Sequence, residues 1–126
     1  MSLTFKLQHS FERRVSEASR IRRLYPERIP IVCERAQNQN MIPSMDKVKY
    51  LVPYDITVSQ FITVIRKRLS LKPEVALMVS IEDGIVPSSI SSIGDLYSAH
   101  KYADGFLYFQ YYQENTFGST STFEKV

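Results

Sequence analysis

The sequence holds one cysteine, four glycines and two histidines, and no long apolar run. Each shortage excludes something. Cys33 alone cannot form an internal disulfide, and a lone thiol suits a reducing compartment, so the cytosol or nucleus is the expected home. No stretch approaches the ~20 apolar residues of a membrane span. The opening MSLTFKLQHS lacks the hydrophobic core of a signal peptide. Four unclustered glycines make no phosphate-cradling loop, and neither G-x-x-x-x-G-K nor G-x-S-x-G occurs. His9 and His100 stand in no HxxH or HExxH context, and one cysteine cannot make a CxxC. No catalytic residue, cofactor or metal ligand is therefore expected, and no enzyme. Cys33 lies between apolar residues and reads as a buried structural thiol rather than a nucleophile. The two histidines read as surface or capping residues, and Asp55 as a turn residue.

What is present fits one domain. A chain of 126 residues with 44% hydrophobic content can bury a core, though a small one. The net charge of +3 hides an asymmetry. Residues 1–68 carry 13 Lys/Arg against 6 Asp/Glu, whereas residues 69–126 carry 3 against 7. A basic half attracts nucleic acid, anionic lipid or acidic peptide. Arg13, Arg14, Arg20, Arg22, Arg23 and Arg28 lie on or just after the first long helix. No aromatic-studded RNA-binding motif or helix-turn-helix pairing accompanies them, so they read as a solvated face and no nucleic-acid partner is expected.

Hydrophobic spacing sets out the elements. Ser10 can cap a helix to about Leu24, with Phe11, Val15, Ala18, Ile21 and Tyr25 as its apolar stripe and Pro26 as its stop. A shorter helical turn can precede it around Leu3 to Leu7. Ile29 to Glu34 reads as a strand with Pro30 near its start or on an edge. Residues 36–46 form a loop, and Val48 to Val52 a second strand. Thr57-Val58-Ser59-Gln60 is a capping box, with Ile56 and Phe61 as its staple. That helix turns Val58, Phe61, Ile62, Ile65 and Leu69 inward and ends on Arg66, Lys67 and Arg68. Val64 lies off its inward stripe. Val75 to Ile81 is a third strand, Asp83-Gly84 a turn, Ser92 a cap for a short helix, and Phe106 to Tyr112 the last strand. The order α-α-β-β-α-β-α-β predicts an α+β fold, a ubiquitin-like β-grasp with two extra N-terminal helices. In such a fold the last strand lies mid-sheet and the C-terminus leaves as an arm.

That arm ends QENTFGSTSTFEKV. A glycine there lets another enzyme's narrow site close on the backbone, because no side chain can clash. Its freed carboxylate could be adenylated, passed to a thiol and then to an amine.

Longer motifs sharpen this. His9-Ser10-Phe11-Glu12-Arg13-Arg14, Ile21-Arg22 and Tyr25-Pro26-Glu27-Arg28-Ile29-Pro30 come first. Asp46-Lys47-Val48-Lys49-Tyr50-Leu51-Val52-Pro53, Thr57 to Phe61 and Ile65-Arg66-Lys67-Arg68 follow. Asp104 to Tyr108 and Glu114-Asn115-Thr116-Phe117-Gly118 complete the set. By these the chain resembles the ubiquitin-like autophagy modifiers, the family of the GABA-receptor-associated protein and of microtubule-associated protein light chain 3. The resemblance runs from Phe5 to Gly118. Ser10 stands where the family usually has proline, and Tyr112-Gln113 replaces a common Ser-Gly.

The resemblance implies a modifier domain over residues 1–118 and a removable tail over 119–126. Within the domain, 1–26 would be the helical extension, 27–112 the β-grasp core and 113–118 the arm. A processing cysteine protease would cut after Phe117-Gly118. Activating and conjugating enzymes would carry Gly118 as a thioester and join it to phosphatidylethanolamine. The protein would then be cytoplasmic until conjugation places it on the autophagosome membrane. Receptors and adaptors with W/F/Y-x-x-L/I/V motifs would add a strand to the open edge of the second strand, where Lys49 and Leu51 supply the ladder. By matched position the aromatic pocket is Glu17, Ile21, Pro30, Val32, Lys49, Leu51 and Phe106. The aliphatic pocket is Tyr50, Val52, Pro53, Ile56, Phe61, Val64 and Arg68, and Arg28 and Lys47 meet acidic flanks. A different reading is a non-conjugated β-grasp scaffold binding microtubules or trafficking proteins through its basic helices. Gly118 separates the two, because a scaffold has no need of it.

Overall fold

The computed structural model describes residues 4–39 and 41–114. Two helices, α1 (Phe5–Gln8) and α2 (Phe11–Leu24), precede strands β1 (Arg28–Arg35) and β2 (Lys49–Pro53). Helix α3 (Val58–Leu69), strand β3 (Leu77–Ser80), a 3-10 turn (Glu82–Gly84), helix α4 (Ile93–His100) and strand β4 (Leu107–Gln113) follow. This is the expected order, and the fold is the ubiquitin-like α+β type. The sheet runs β2-β1-β4-β3, with β1 and β4 parallel at its centre and both outer pairs antiparallel. The last strand is thus mid-sheet and β2 is an edge.

The caps sit where the side chains call for them. Ser10 Oγ accepts from Arg13 N–H at 3.2 Å, so serine starts α2 without a proline. Thr57 and Gln60 make both halves of the capping box on α3. Pro30 lies inside β1, which is not an edge strand. Its missing N–H is harmless, because it falls on the side of β4 just before that ladder begins at Ile31–Leu107. Tyr112 and Gln113 continue β4.

One face of the sheet packs on α3 and α4. Ile29, Ile31, Cys33, Val52, Val58, Phe61, Ile65, Leu107, Phe109 and Tyr111 are all buried there. Cys33 is fully buried, and burial pushes its thiol far up, away from any nucleophilic state. Ile62 is only partly buried, and Val64 is exposed as its spacing required.

The other face carries the N-terminal helices, and here two expectations are corrected. The apolar stripe of α2 is incomplete: Ala18 is buried, but Phe11 and Tyr25 are 44% and 48% exposed. The arginine run is not wholly a solvated face. Arg14 is buried, and its Nη1 lies 2.5 Å from the Asp104 carboxylate. The physical reason is a pairing invisible along the chain. Asp104 sits before β4, directly under α2, and also accepts from Tyr108 O–H at 2.5 Å and Phe106 N–H at 2.9 Å. Helix α1 adds Phe5, whose ring meets Phe106 edge-on at 5.5 Å. Lys6 Nζ lies 3.5 Å from the Tyr102 ring centroid.

Burial raises the phenols of Tyr50, Tyr97, Tyr108 and Tyr111, the last to about 12. Unfolded tyrosines ionise near pH ~10. Below that pH both states keep their protons, so stability is unaffected. Above it the unfolded chain releases protons that the fold retains, and stability falls as pH rises from about 10 through about 12. Thermal melts across this window, with phenolate absorbance, should show melting temperature dropping before these tyrosines ionise in the folded state. A flat melting temperature through the window would contradict the burial of these rings.

Candidate peptide-binding edge

The backbone of β2 decides what its free side can do. Cys33 N–H donates to Val48 C=O at 2.8 Å and Tyr54 N–H donates to Glu27 C=O at 3.1 Å. In an antiparallel pair such bonds recur every second residue. The even positions of β2 are therefore spent on β1. Lys49 and Leu51 turn their N–H and C=O groups outward, and Pro53 can offer only a carbonyl. An extended peptide would meet a ladder of just these residues.

The pleat sorts the side chains into two sets on opposite faces. Lys49 and Leu51 lean toward α2. Lys49 Nζ reaches Glu17 Oε2 on α2 at 2.7 Å, joining the two walls of that surface. Ile21, one turn further on, is half-buried, as is Leu51. Pro30, Val32 and Phe106 are buried beneath, so they form the floor rather than the contact surface. Tyr50 and Val52 lean toward α3. Tyr50 is half-buried, with the Arg68 guanidinium 5.6 Å from its ring centroid. Ile56 is half-buried and Val64 39% exposed, and Phe61 is the fully buried floor. Pro53 is exposed at the strand's end, on the Lys49 and Leu51 side by alternation.

The cations frame this edge. Lys47, Lys49, Arg28 and Arg68 are all exposed. Arg28 Nη1 also donates to the outward Leu51 carbonyl at 3.4 Å, a weak bond that an added strand would replace. The sequence-derived residues thus lie around one strand edge, with one correction: Pro53, expected in the aliphatic set, falls on the face of Lys49 and Leu51 because side chains alternate along β2. Sequence reasoning missed the Glu17–Lys49 ion pair; its only signal was opposite charge on two elements not known to touch.

Phe117 and Gly118 lie outside the described residues. The last described contact of the arm is Glu114 N–H to Ala76 C=O at 2.9 Å. Among the described residues no group of three or more His, Cys, Asp and Glu side chains could hold a metal ion. No helix of the described residues is long and apolar enough to cross a membrane.

Known proteins match this chain closely. The family model described as autophagy protein Atg8, ubiquitin like, matches residues 13–118. An autophagy-related protein 8 of Mycosarcoma maydis is 50% identical over 118 residues, covering 94% of this chain and 98% of that protein. The autophagy-related protein 8 of Schizosaccharomyces pombe is 47% identical over 123 residues, covering 98% and 100%. The crystal structure of Trypanosoma brucei ATG8 superimposes with a TM-score of 0.83 at 42% identity, covering 90% of this chain and 97% of that one. The chain belongs to the Atg8 family of ubiquitin-like autophagy proteins.

Proposed function

We propose that the protein is a modifier, not an enzyme, conjugated through Gly118 to phosphatidylethanolamine on autophagosomal membranes. There it recruits receptors and adaptors that carry W/F/Y-x-x-L/I/V motifs. Its partners before that are a processing cysteine protease and the activating and conjugating enzymes of the pathway. It is cytoplasmic until conjugated.

The observation that carries the recruiting half is the outward ladder of Lys49 and Leu51 between two apolar surfaces on opposite faces of β2. Side chains alternate along a strand, so residues three apart point to opposite faces, about 10 Å apart along the chain. An aromatic and an aliphatic anchor at that spacing can fill both surfaces at once. Anchors two apart would point the same way and fill only one. A W-x-x-L peptide should therefore bind about tenfold or more tighter than a W-x-L peptide of equal composition, since one buried leucine is worth about 1.5–3 kcal/mol. Leu51→Ala should weaken W-x-x-L binding by roughly 1–3 kcal/mol. Calorimetric titration reads both. Equal affinity for the two spacings, or an unchanged affinity in folded Leu51→Ala, would remove the groove from this edge.

The basic rim gives a second readout. Binding of acidic-flanked peptides should weaken with added salt more steeply than binding of neutral ones, because exposed charges are screened within ~8 Å at physiological ionic strength. Equal salt slopes would assign Arg28, Lys47, Lys49 and Arg68 another purpose.

A further inference from the structure

Tyr54 directly follows β2, at the end of the open edge. The residue is 45% exposed, yet its ring is held at several points. One side of the ring packs on α4 at Gly94, where even a methyl group would sit 2.3 Å from ring carbons. The Tyr54 hydroxyl donates to Asp95 Oδ1 at 3.2 Å. The Tyr54 carbonyl accepts from Gly94 N–H at 2.8 Å. A fixed, exposed aromatic ring offers contact area with little freedom left to lose on binding. The Asp95 carboxylate at its rim is exposed too, and so is Asp55, the next residue in the chain.

This corner differs in sign from the rest of the edge, which is framed by Lys47, Lys49, Arg28 and Arg68. Its place along a bound peptide follows from the groove proposed above, on which this inference rests. The aromatic surface draws on Lys49 and Leu51, and the aliphatic one on Val52 and, further along the chain, Ile56. A peptide whose aromatic anchor comes first therefore runs in the same direction as β2. The residue after its aliphatic anchor turns toward the α2 side, where Arg28 lies opposite Pro53. The residue after that turns toward α3 and α4, where Tyr54 lies. We propose that Tyr54 and Asp95 select a lysine or arginine two positions after the aliphatic anchor. The cation would lie on the open side of the tyrosine ring, with the Asp95 carboxylate at its edge. The groove would then read a peptide that is acidic around its aromatic anchor and basic at its far end.

The test uses the whole chain and three peptides of one sequence, acidic-W-x-x-L-x-Z, with Z as Arg, Gln or Glu, followed by fluorescence anisotropy. Arginine should bind about 3-fold tighter than glutamine and about 10-fold tighter than glutamate, the scale of an exposed cation–aromatic contact plus one exposed ion pair. Asp95→Asn, which can still accept from the Tyr54 hydroxyl, should lose part of this preference. Tyr54→Leu should bring all three peptides within about 2-fold of one another. Moving the arginine one position earlier should abolish its advantage, because it would then face Arg28. Equal binding of the three peptides to the native chain would overturn this inference and leave the groove standing. So would a preference that survives unchanged in both variants. Failure of all three peptides to bind would remove the groove, and this inference with it.

Discussion

A chain that ends at Gly118 is expected to be joined to phosphatidylethanolamine without any protease, and a chain that ends at Phe117 never. The full-length chain should be joined only after cleavage between Gly118 and Ser119. Gly118→Ala should fold normally and yet give no product. Strand β4 ends at Gln113, and Gly118 is five residues further on. Five residues of extended chain span up to about 17 Å, enough to carry the terminus into a catalytic cleft without unfolding the sheet. Thioester transfer needs the terminal carboxylate to meet a nucleophile at close range on a backbone gripped from both sides. A methyl group at that position keeps the chemistry possible in solution but forbids the grip.

The effect is expected to be all-or-none in a reconstituted assay with liposomes, ATP and the cognate enzymes, read by gel shift and mass spectrometry. Thermal melts of Gly118→Ala and of the chain cut at Gly118 should match the full-length protein. Residues 119–126 lack the patterned apolar side chains that a packed element requires. If the Gly118-ended chain stays unmodified while another family member is lipidated beside it, the modifier reading fails. The non-conjugated scaffold then accounts better for the basic helices.

How much of this could be read from the sequence depended on how local each signal was. The capping box at Thr57 and Gln60 is decided within four residues, and it formed as written. Matched position put Leu51 on one surface and Tyr50 and Val52 on the other, and the fixed period of the pleat is the physical reason they face opposite ways. The central place of β4 came from element order. What was not legible was long-range and polar. The stripe of α2 pointed to Phe11 and Tyr25 as buried, but the buried position is taken by Arg14, whose partner lies 90 residues away. Nothing in a run of arginines marks which one will be desolvated. The depth of the pocket residues was equally hidden. Val32, Phe61 and Phe106 are core floors, and matched position alone does not distinguish a floor from a wall.

Asp104→Ala is expected to be the most damaging single polar substitution in the described chain. Asp104 is 2% exposed as a residue, and its carboxylate receives the Arg14 guanidinium, the Tyr108 hydroxyl and the Phe106 N–H. Its removal leaves a buried cation with no counter-charge, a loss of about 3–5 kcal/mol. Arg14 also sits in the first turns of α2, where the helix dipole already disfavours positive charge, so its need for Asp104 is greater. The melting temperature should fall by on the order of 10 °C or more for a domain of this size. The decisive arm is the double substitution. Adding Arg14→Met to Asp104→Ala removes the orphaned charge and should recover part of the loss, whereas independent sites would simply add. Chemical denaturation of the two single variants and the double variant measures this coupling. Additive effects, or a loss below about 1 kcal/mol in Asp104→Ala, would show that the pair does not anchor α2. The consequence reaches the binding edge, because α2 carries Glu17 and Ile21, one wall of the aromatic surface. An α2 that loosens should weaken peptides with an aromatic anchor while the aliphatic surface, built on α3, keeps its shape.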